Sequence, residues 1–421
     1  YLSLGSNLGD RRANLRAALA ALDAAGVVVE RVSPVVESPA LLPPAAESDW
    51  NTPYLNLAAR CRSAFEPADL LDRIKGIEAD LGRSVGRRWS PRPIDIDILT
   101  FNEREISTDR LKIPHPALAQ RPFVLTPLAA IDPALPIPGT GATALGLSRA
   151  LGRNIPLWMG IVNLTPDSFS DGGENATWPD IERRIDSIVT SGGHILDLGA
   201  ESTRPGATPL TADEEWARLE PVLGRLDRHF GTDPLRPEIS IDTYHASTAR
   251  RAVAAGVDII NDVGGLGDPD MLALAADCGA RFVAMHNLGL PADPSRTLDP
   301  ERSAADQVEA WLDERLEFWV RSGISNARIV FDPGIGFGKT GLQSLELLRE
   351  IERFANKGPQ LLVGHSRKSF MRAFARDIRQ RDQGTIGSSL ALSARGVDIL
   401  RVHNVPDHAA AYLAWAHLQP E

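Results

Sequence analysis

Between Leu157 and His403 the chain repeats one pattern eight times: an apolar run of strand length followed by an amphipathic segment of helix length. The runs are Leu157 to Asn163, His194 to Gly199, Glu238 to Asp242, Val257 to Asp262, Arg281 to His286, Arg328 to Asp332, Gln360 to His365 and Val397 to His403. Strands alternating with helices build parallel sheets, and strands buried on both faces read as near-continuous apolar runs. Each run also delivers a polar or ionisable residue near its C-terminal end: Asn163, Asp197, Asp242, Asn261, His286, Asp332, His365 and His403. Ordinary turn chemistry explains any one of these endings. Eight of them within roughly 265 residues predict a closed (β/α)8 barrel, the TIM barrel, whose site is built at the C-terminal strand ends.

Such a barrel leaves a substantial part of the 421 residues for a second domain. The stretch Ile131 to Pro156 carries Pro133, Pro136, Pro138, Gly139, Gly141, Gly146 and Gly152, which disfavour long regular elements. The sequence therefore divides into a first domain over 1–140, a linker over 141–155 and the barrel over 156–421. In the first domain, short alternating runs (Leu2 to Leu4, Leu55 to Cys61, Ile94 to Leu99) are interleaved with helical patterns at Asn14 to Ala24 and Pro67 to Leu81. That mixture predicts a small α+β sandwich.

Composition narrows the function classes. No apolar stretch approaches the roughly 18 residues of a membrane span, so no membrane partner is expected. Lys and Arg number 45 against 55 Asp and Glu, and the net charge of −10 argues against a general nucleic-acid binder. Cys61 and Cys278 have no metal-ligand spacing, which fits a reducing, cytoplasmic setting. The chain opens Tyr1-Leu2-Ser3-Leu4 with no charged segment leading into an apolar one, so no signal peptide is expected.

The segment Trp89-Ser90-Pro91-Arg92-Pro93-Ile94-Asp95-Ile96-Asp97-Ile98-Leu99 carries the sharpest chemistry of the first domain. In a strand, residues two apart share a face with Cα atoms roughly 6.5 to 7 Å apart, so Asp95 and Asp97 point one way while Ile94, Ile96 and Ile98 pack into the core. Two carboxylates on one rigid face suit Mg²⁺, which binds through one or two carboxylates plus substrate phosphates. The spacing equally fits the solvated face of an antiparallel sheet. Arg83, Arg87, Arg88, Arg92, Arg110, Lys112, His115 and Arg121 favour the first reading, because cations beside an acidic pair match a polyphosphate bridged by metal.

Gly5-Ser6-Asn7-Leu8, Tyr54-Leu55-Asn56, Gly82-Arg83, Arg88-Trp89-x-Pro91-Arg92 with Asp95-x-Asp97, Pro114-His115 and Arg121-x-Phe123 together resemble 6-hydroxymethyl-7,8-dihydropterin pyrophosphokinase. The resemblance spans nearly the whole first domain. It implies a ferredoxin-like fold, ATP as substrate, two Mg²⁺ on Asp95 and Asp97, and transfer of a pyrophosphoryl group to the pterin hydroxymethyl with release of AMP. It implies Tyr54, Asn56 and Phe123 as pterin contacts and Arg83, Arg88, Arg92, Arg110, Lys112, His115 and Arg121 as ATP contacts, with Arg83, Arg92 and His115 acting in catalysis beside the two aspartates. The chain departs from the family pattern at Val85, where many relatives carry a basic residue, and in a longer segment between Ser38 and Tyr54.

In the barrel, Met159 to Gly173 leads off the first strand into a loop of small polar residues, and Asp197 to Gly206 leaves the second with hydroxyls beside Arg204. Asp332-Pro333-Gly334-Ile335-Gly336-Phe337-Gly338-Lys339-Thr340 looks like a P-loop, but the first glycine of that motif falls on Pro333, which rejects a nucleotide loop. Its glycines instead bring backbone close to a ligand, with Phe337 as a stacking wall. These blocks, with Ile241-Asp242, Ile260-Asn261-Asp262, Gly364-His365-Ser366-Arg367-Lys368-Ser369 and Arg401-Val402-His403-Asn404, resemble dihydropteroate synthase from Pro156 to the C-terminus. Met285-His286-Asn287 is a small departure, since relatives often carry a second Met there.

The second resemblance implies a pterin held by Asp242, Asn261, Met285, Asp332 and Lys368. It implies p-aminobenzoate against Thr203, Pro205, Phe337 and Ser366, and pyrophosphate on Asn163, Thr203, Arg204, Arg401 and His403. One Mg²⁺ is assigned to Asn163, and Lys368 and Arg401 act in catalysis. A homodimer through the barrel is the assembly that it leaves open. Together the two resemblances describe consecutive steps of folate synthesis: the first domain makes the pyrophosphorylated pterin, and the barrel condenses it with p-aminobenzoate to 7,8-dihydropteroate. Two rival readings stand beside this one. One is a pterin-binding methyltransferase barrel, against which the Arg401-x-His403 anion site speaks; the other is a degenerate first domain fused to an active synthase.

Overall fold

The computed structural model describes residues 1–42, 46–83, 90–164, 177–201, 209–290, 293, 295–373 and 375–419. The chain divides into two compact units, one of Tyr1–Ile155 with Asp233–Arg236 and Ala411–Glu421, the other of Pro156–Thr232 and Pro237–Ala410.

The first unit is built on β1 (Leu2–Ser6), α1 (Arg11–Ala24), β2 (Val28–Val32), β3 (Val36–Ser38), β4 (Tyr54–Arg62), α2 (Pro67–Asp80) and β5 (Asp95–Ile98). The antiparallel order is β2-β4-β1-β5, with β3 also paired to β4. Alternation along the strands sends Leu2, Leu4, Leu57, Ala59, Ile94, Ile96 and Ile98 to one face, where they pack on Leu15, Leu19 and Leu22 of α1 and Leu70, Ile74 and Ile77 of α2. Asp10 caps α1 by accepting the Ala13 N–H at 2.9 Å, and Pro67 occupies the start of α2, where its missing N–H costs nothing. Beyond β5 lie two short antiparallel pairs, β6 (Ile106–Ser107) with β7 (Lys112–Ile113) and β8 (Pro136–Ile137) with β9 (Ala142–Thr143), together with α3 (Pro122–Ile131) and α4 (Ala144–Ala150). Leu125 and Leu128 of α3 and Ala144 and Leu145 of α4 form a second core that takes in Ala58 from β4. Residues 141–155, read from sequence as a linker, thus contribute a short strand and a helix to this unit.

The second unit contains a closed, parallel eight-stranded barrel: β10 (Leu157–Asn163), β11 (Ile195–Gly199), β12 (Glu238–Asp242), β13 (Ile259–Asp262), β14 (Arg281–Met285), β15 (Ile329–Asp332), β16 (Gln360–Val363) and β17 (Ile399–Val402). Every predicted run contains its strand, and the differences are one or two residues at the ends, where β14, β16 and β17 stop short of their histidines. Closure comes from β10 pairing with both β11 and β17, with Met159 opposite Ile195 on one side and Arg401 on the other. The helices used below are α5 (Trp178–Thr190), α6 (Ala212–Phe230), α7 (Ala246–Ala254), α8 (Pro269–Asp277), α9 (Ala304–Arg321), α10 (Gly341–Arg349), α11 (Glu352–Ala355), α12 (Ile378–Ser393) and α13 (Val405–Ala416). Thr340, the threonine of the P-loop-like segment, caps α10: its Oγ1 accepts the Gln343 N–H at 3.2 Å while Gln343 Oε1 accepts the Thr340 N–H at 2.9 Å.

Candidate active sites

In the first unit, register assembles a polar platform. Ser3 of β1 lies opposite Asp97 and Gly5 opposite Asp95 on one side, and Gly5 lies opposite Asn56 of β4 on the other. All five residues therefore share the sheet face that the leucine and isoleucine side chains leave free. A Cβ on Gly5 would come within 3.1 Å of Asn56 Oδ1, so the missing side chain is what gives the Asn56 amide room. Asn56 Nδ2 donates to Ser38 Oγ at 3.0 Å. Over the platform opens a cleft of about 280 Å³ into which Tyr54, Asn56, Arg83, Arg92, Asp95, Asp97, His115, Arg121 and Phe123 all turn; Leu41 and Leu42, from the segment after Ser38, add an apolar wall.

Electrostatics in this cleft are unevenly balanced. Arg83 bonds Asp95 and Glu78, and Arg92 Nη1 lies 3.5 Å from Asp95 Oδ1. Among the described residues, the cations nearest Asp97 are His115 Nε2 at 3.9 Å and Arg121 Nη1 at 4.0 Å. Desolvation first, and Asp95 second, raise the Asp97 carboxyl above its ordinary range. Desolvation likewise lowers His115, whose Nδ1 accepts the Ala117 N–H at 3.2 Å and so leaves Nε2 to face Asp97. Two carboxylates on one face, one of them short of positive charge, are a donor set that fits Mg²⁺ completed by phosphate oxygens. Among the described residues no group of three or more His, Cys, Asp and Glu side chains could hold a metal by itself. Arg110 pairs with Asp72 at the edge of a separate hollow, and Lys112 is exposed on β7; neither lines the cleft. Arg88, like Arg87 and Val85, lies outside the described residues.

Glu78 is the participant that sequence reading missed. It sits on the apolar stripe of α2, four residues after Ile74, and its side chain is 2% exposed. Its carboxylate bonds Arg83, takes Lys75 Nζ at 2.8 Å, and accepts the Ile96 N–H at 2.8 Å, satisfying a donor on the edge strand β5. An acid on a buried stripe was the available signal. Glu78→Gln is expected to lower the unfolding temperature of the first unit, by about 1 to 3 kcal/mol of stability, because one charge-assisted acceptor is lost. Scanning calorimetry with two resolved transitions checks this, and an unmoved first transition would contradict it.

In the barrel, a pocket at the C-terminal rim is lined by Asp242, Asn261, Met285, Asp332, Phe337, Lys368 and Arg401. Arg401 is its hub: Nε donates to Asp197 Oδ2 and Nη2 to Asp242 Oδ2, each at 2.6 Å. Asp197 is fully buried and also accepts Ser240 Oγ at 2.6 Å and Asn261 Nδ2 at 3.2 Å, so one carboxylate orients both Arg401 and Asn261. Burial pushes Asp242 up to about 7, with Asp197 and Glu215 adding to the effect and Arg401 opposing it. Burial also raises Asp332, whose Oδ1 accepts the Gly334 N–H at 2.7 Å. Lys368 Nζ lies 4.1 Å above the Phe337 ring, and desolvation lowers it to about 8.

His403 stands beside this pocket with Nδ1 against Ser366 Oγ at 2.9 Å. Burial and the cations Arg367, Arg401 and Arg184 depress it to about 3, so at neutral pH it offers a hydrogen bond rather than a charge. Asn163 ends β10, with its Oδ1 3.8 Å from where a Gly199 Cβ would stand. His365 leaves the rim altogether: it is buried against the Thr385 carbonyl at 3.3 Å and Ser389 Oγ at 3.1 Å on α12. His286 likewise turns to Lys339, at 2.8 Å. Two of the eight polar endings, His286 and His365, therefore do not line the pocket, each being claimed by a partner outside the barrel strands. Thr203, Arg204 and Pro205 lie outside the described residues.

Residues 1–133 match the family model described as 7,8-dihydro-6-hydroxymethylpterin-pyrophosphokinase, and residues 159–403 match the one described as pterin binding enzyme. The folate synthesis bifunctional protein of Chlamydia trachomatis is 38% identical, over 99% of this chain and 97% of its own length. The chain belongs to the bifunctional folate-synthesis family. A mitochondrial folate synthesis bifunctional protein of Arabidopsis thaliana is 35% identical over 97% of this chain and 81% of its own. Among solved structures, dihydropteroate synthase from Anaplasma phagocytophilum with bound 6-hydroxymethylpterin-monophosphate superposes with a TM-score of 0.56 at 35% identity, covering 62% of this chain and 98% of that one. The Xanthomonas albilineans enzyme with 4-aminobenzoic acid gives 0.57 at 35% identity, covering 63% and 94%. As a member of this family the chain carries a pyrophosphokinase and a dihydropteroate synthase, two consecutive transferase steps, with a ferredoxin-like α+β domain for the first and a TIM barrel for the second. Relatives matched along 97% and 81% of their own length favour that reading over both the methyltransferase barrel and the degenerate first domain.

Proposed function

We propose that the cleft of the first unit transfers pyrophosphate from ATP to the hydroxymethyl oxygen of the dihydropterin, and that the barrel pocket exchanges that pyrophosphate for p-aminobenzoate. The observation that carries the barrel half is the meeting of acceptors Asp242 and Asp332 with donors Asn261 and Lys368 beside Arg401 in one pocket. A flat pterin presents donors and acceptors along its edges, and this set answers both kinds. Tyr54, Asn56 and Phe123 hold the pterin in the first unit. Arg83, Arg92, His115 and Arg121 face the ATP phosphates, with Arg88 assigned to the same ligand.

Asp95 and Asp97 are the proposed holders of two Mg²⁺ and Asn163 of a third in the barrel, and such ions neutralise phosphate oxygens when bound. In the barrel, the carbon–oxygen bond breaks with its electron pair leaving on pyrophosphate, which Arg401, Arg204, Thr203 and His403 receive. The positive charge left at the pterin methylene spreads into the ring. The p-aminobenzoate nitrogen, held by Thr203, Pro205, Phe337 and Ser366, then forms the new bond and gives up a proton. Cys61 and Cys278 are free thiols, which supports a cytoplasmic setting. Among the described residues no helix is long and apolar enough to cross a membrane.

A coupled assay with ATP, Mg²⁺, hydroxymethyl-dihydropterin and p-aminobenzoate tests the whole scheme: dihydropteroate and AMP are the expected products, and their absence rejects it. Arg401→Ala should weaken pyrophosphate binding by about 1.5 to 3 kcal/mol, the value of a charge-assisted contact. Calorimetric titration with Mg²⁺-pyrophosphate measures it, and unchanged affinity would place the anion site elsewhere.

A further inference from the structure

The P-loop-like segment leaves one residue without a role. Thr340 caps a helix, Phe337 and Asp332 line the pocket, and Lys339 turns inward, 7% exposed. An ammonium is costly to bury unless its hydrogens are satisfied, and burial lowers this one to about 7. Here three acceptors satisfy it: His286 Nδ1 at 2.8 Å, the His286 carbonyl at 3.3 Å and the Phe337 carbonyl at 2.8 Å. The first of these is itself fixed, because the His286 ring packs edge-on against Trp311 with centroids 5.0 Å apart and is held neutral by burial. The loop is wrapped tightly around the ammonium. Gly334, at φ +67°, passes so close that a Cβ there would stand 3.3 Å from Nζ and 2.0 Å from the His286 carbonyl.

We propose that Lys339 is a positioning residue for the p-aminobenzoate pocket: its ammonium ties the end of β14 to the backbone of Phe337 and so fixes the ring against which the aromatic amine stacks. The proposal rests on the dihydropteroate synthase reading of the barrel and on the assignment of Phe337 to that pocket. Lys339 acts on Phe337 through its backbone carbonyl, while Lys368 lies over the ring face. Asp242 and Asn261 are set by Arg401 and Asp197 at the ends of β12 and β13 and share no hydrogen bond with Lys339, whose charge acts on Asp332 alone of the acidic pterin contacts. Losing Lys339 should therefore loosen the p-aminobenzoate pocket and leave Asp242 and Asn261, two of the pterin's strand-end contacts, in place.

The test is steady-state kinetics of the full chain supplied with pre-formed pterin pyrophosphate and Mg²⁺, comparing wild type with Lys339→Met. The expected result is a KM for p-aminobenzoate raised on the order of tenfold, with the KM for pterin pyrophosphate within about twofold of wild type. A purely structural lysine would lower the active fraction, and thus kcat, without this split. Lys339→Gln, which keeps a donor on a shorter side chain, should recover part of the p-aminobenzoate KM, and it stands in if Lys339→Met does not fold. An unchanged p-aminobenzoate KM in whichever variant folds overturns the proposal, as does failure of both to fold, which would make Lys339 a support of the barrel itself. If wild type forms no dihydropteroate, the reading of the barrel has failed instead, and the two failures are told apart by that control.

Discussion

Asp97→Ala is expected to abolish AMP-forming pyrophosphoryl transfer, by on the order of 10³-fold or more, while the same protein still converts pre-formed pterin pyrophosphate and p-aminobenzoate into dihydropteroate. Asp97 faces the cleft from β5 with its nearest cations among the described residues at 3.9 and 4.0 Å, whereas Asp95 is already engaged by Arg83 and Arg92. Of the two carboxylates it is the one with oxygens to give to a metal–phosphate complex. Its neighbours Ile96 and Ile98 carry the packing of the strand, so truncating Asp97 removes charge from the cleft without opening the core. The nucleotide product is the diagnostic: AMP marks pyrophosphoryl transfer, and ADP as the main product would defeat the proposed chemistry. A variant that retained its rate would remove Asp97 from the site.

The barrel was legible because its strands are buried on both faces, which forces continuous apolar runs and leaves little freedom in where a strand can lie. The face shared by Asp95 and Asp97 was legible for a related reason: period-two alternation is a local rule, and Ile94, Ile96 and Ile98 fix its phase. What escaped was decided by long-range partners. Glu78 becomes an organiser only because α2 packs beside an edge strand whose Ile96 N–H needs an acceptor. Asp197 was read as a strand ending and given no role, since only barrel closure brings Arg401, 204 positions away, onto its carboxylate. His365 shows the converse error. It ends an apolar run as convincingly as His403 does, yet α12 claims the ring through the Thr385 carbonyl and Ser389 Oγ.

A sulfonamide, as a mimic of p-aminobenzoate, is expected to bind the free protein poorly and to bind on the order of 100-fold more tightly once pterin and Mg²⁺-pyrophosphate occupy the barrel. In the free protein the elements of the amine pocket are committed to one another. Lys368 Nζ lies over the Phe337 ring, which is the surface that an incoming aromatic ring would use, and Ser366 Oγ is engaged by His403 Nδ1 at 2.9 Å. Arg401 is held between Asp197 and Asp242. A pterin that bonds Asp242, Asp332 and Lys368 competes for these partners, drawing the ammonium off the Phe337 face and freeing part of the guanidinium for the anion. The amine pocket is then completed by the first ligand rather than preformed, and binding is ordered. Such coupling is reciprocal, so the sulfonamide should tighten pterin and pyrophosphate by the same factor. Calorimetric titrations in both orders measure the two factors independently; equal sulfonamide affinity with and without pterin plus Mg²⁺-pyrophosphate would refute the ordered scheme, because a pocket indifferent to its neighbour's ligand cannot depend on that ligand to assemble it.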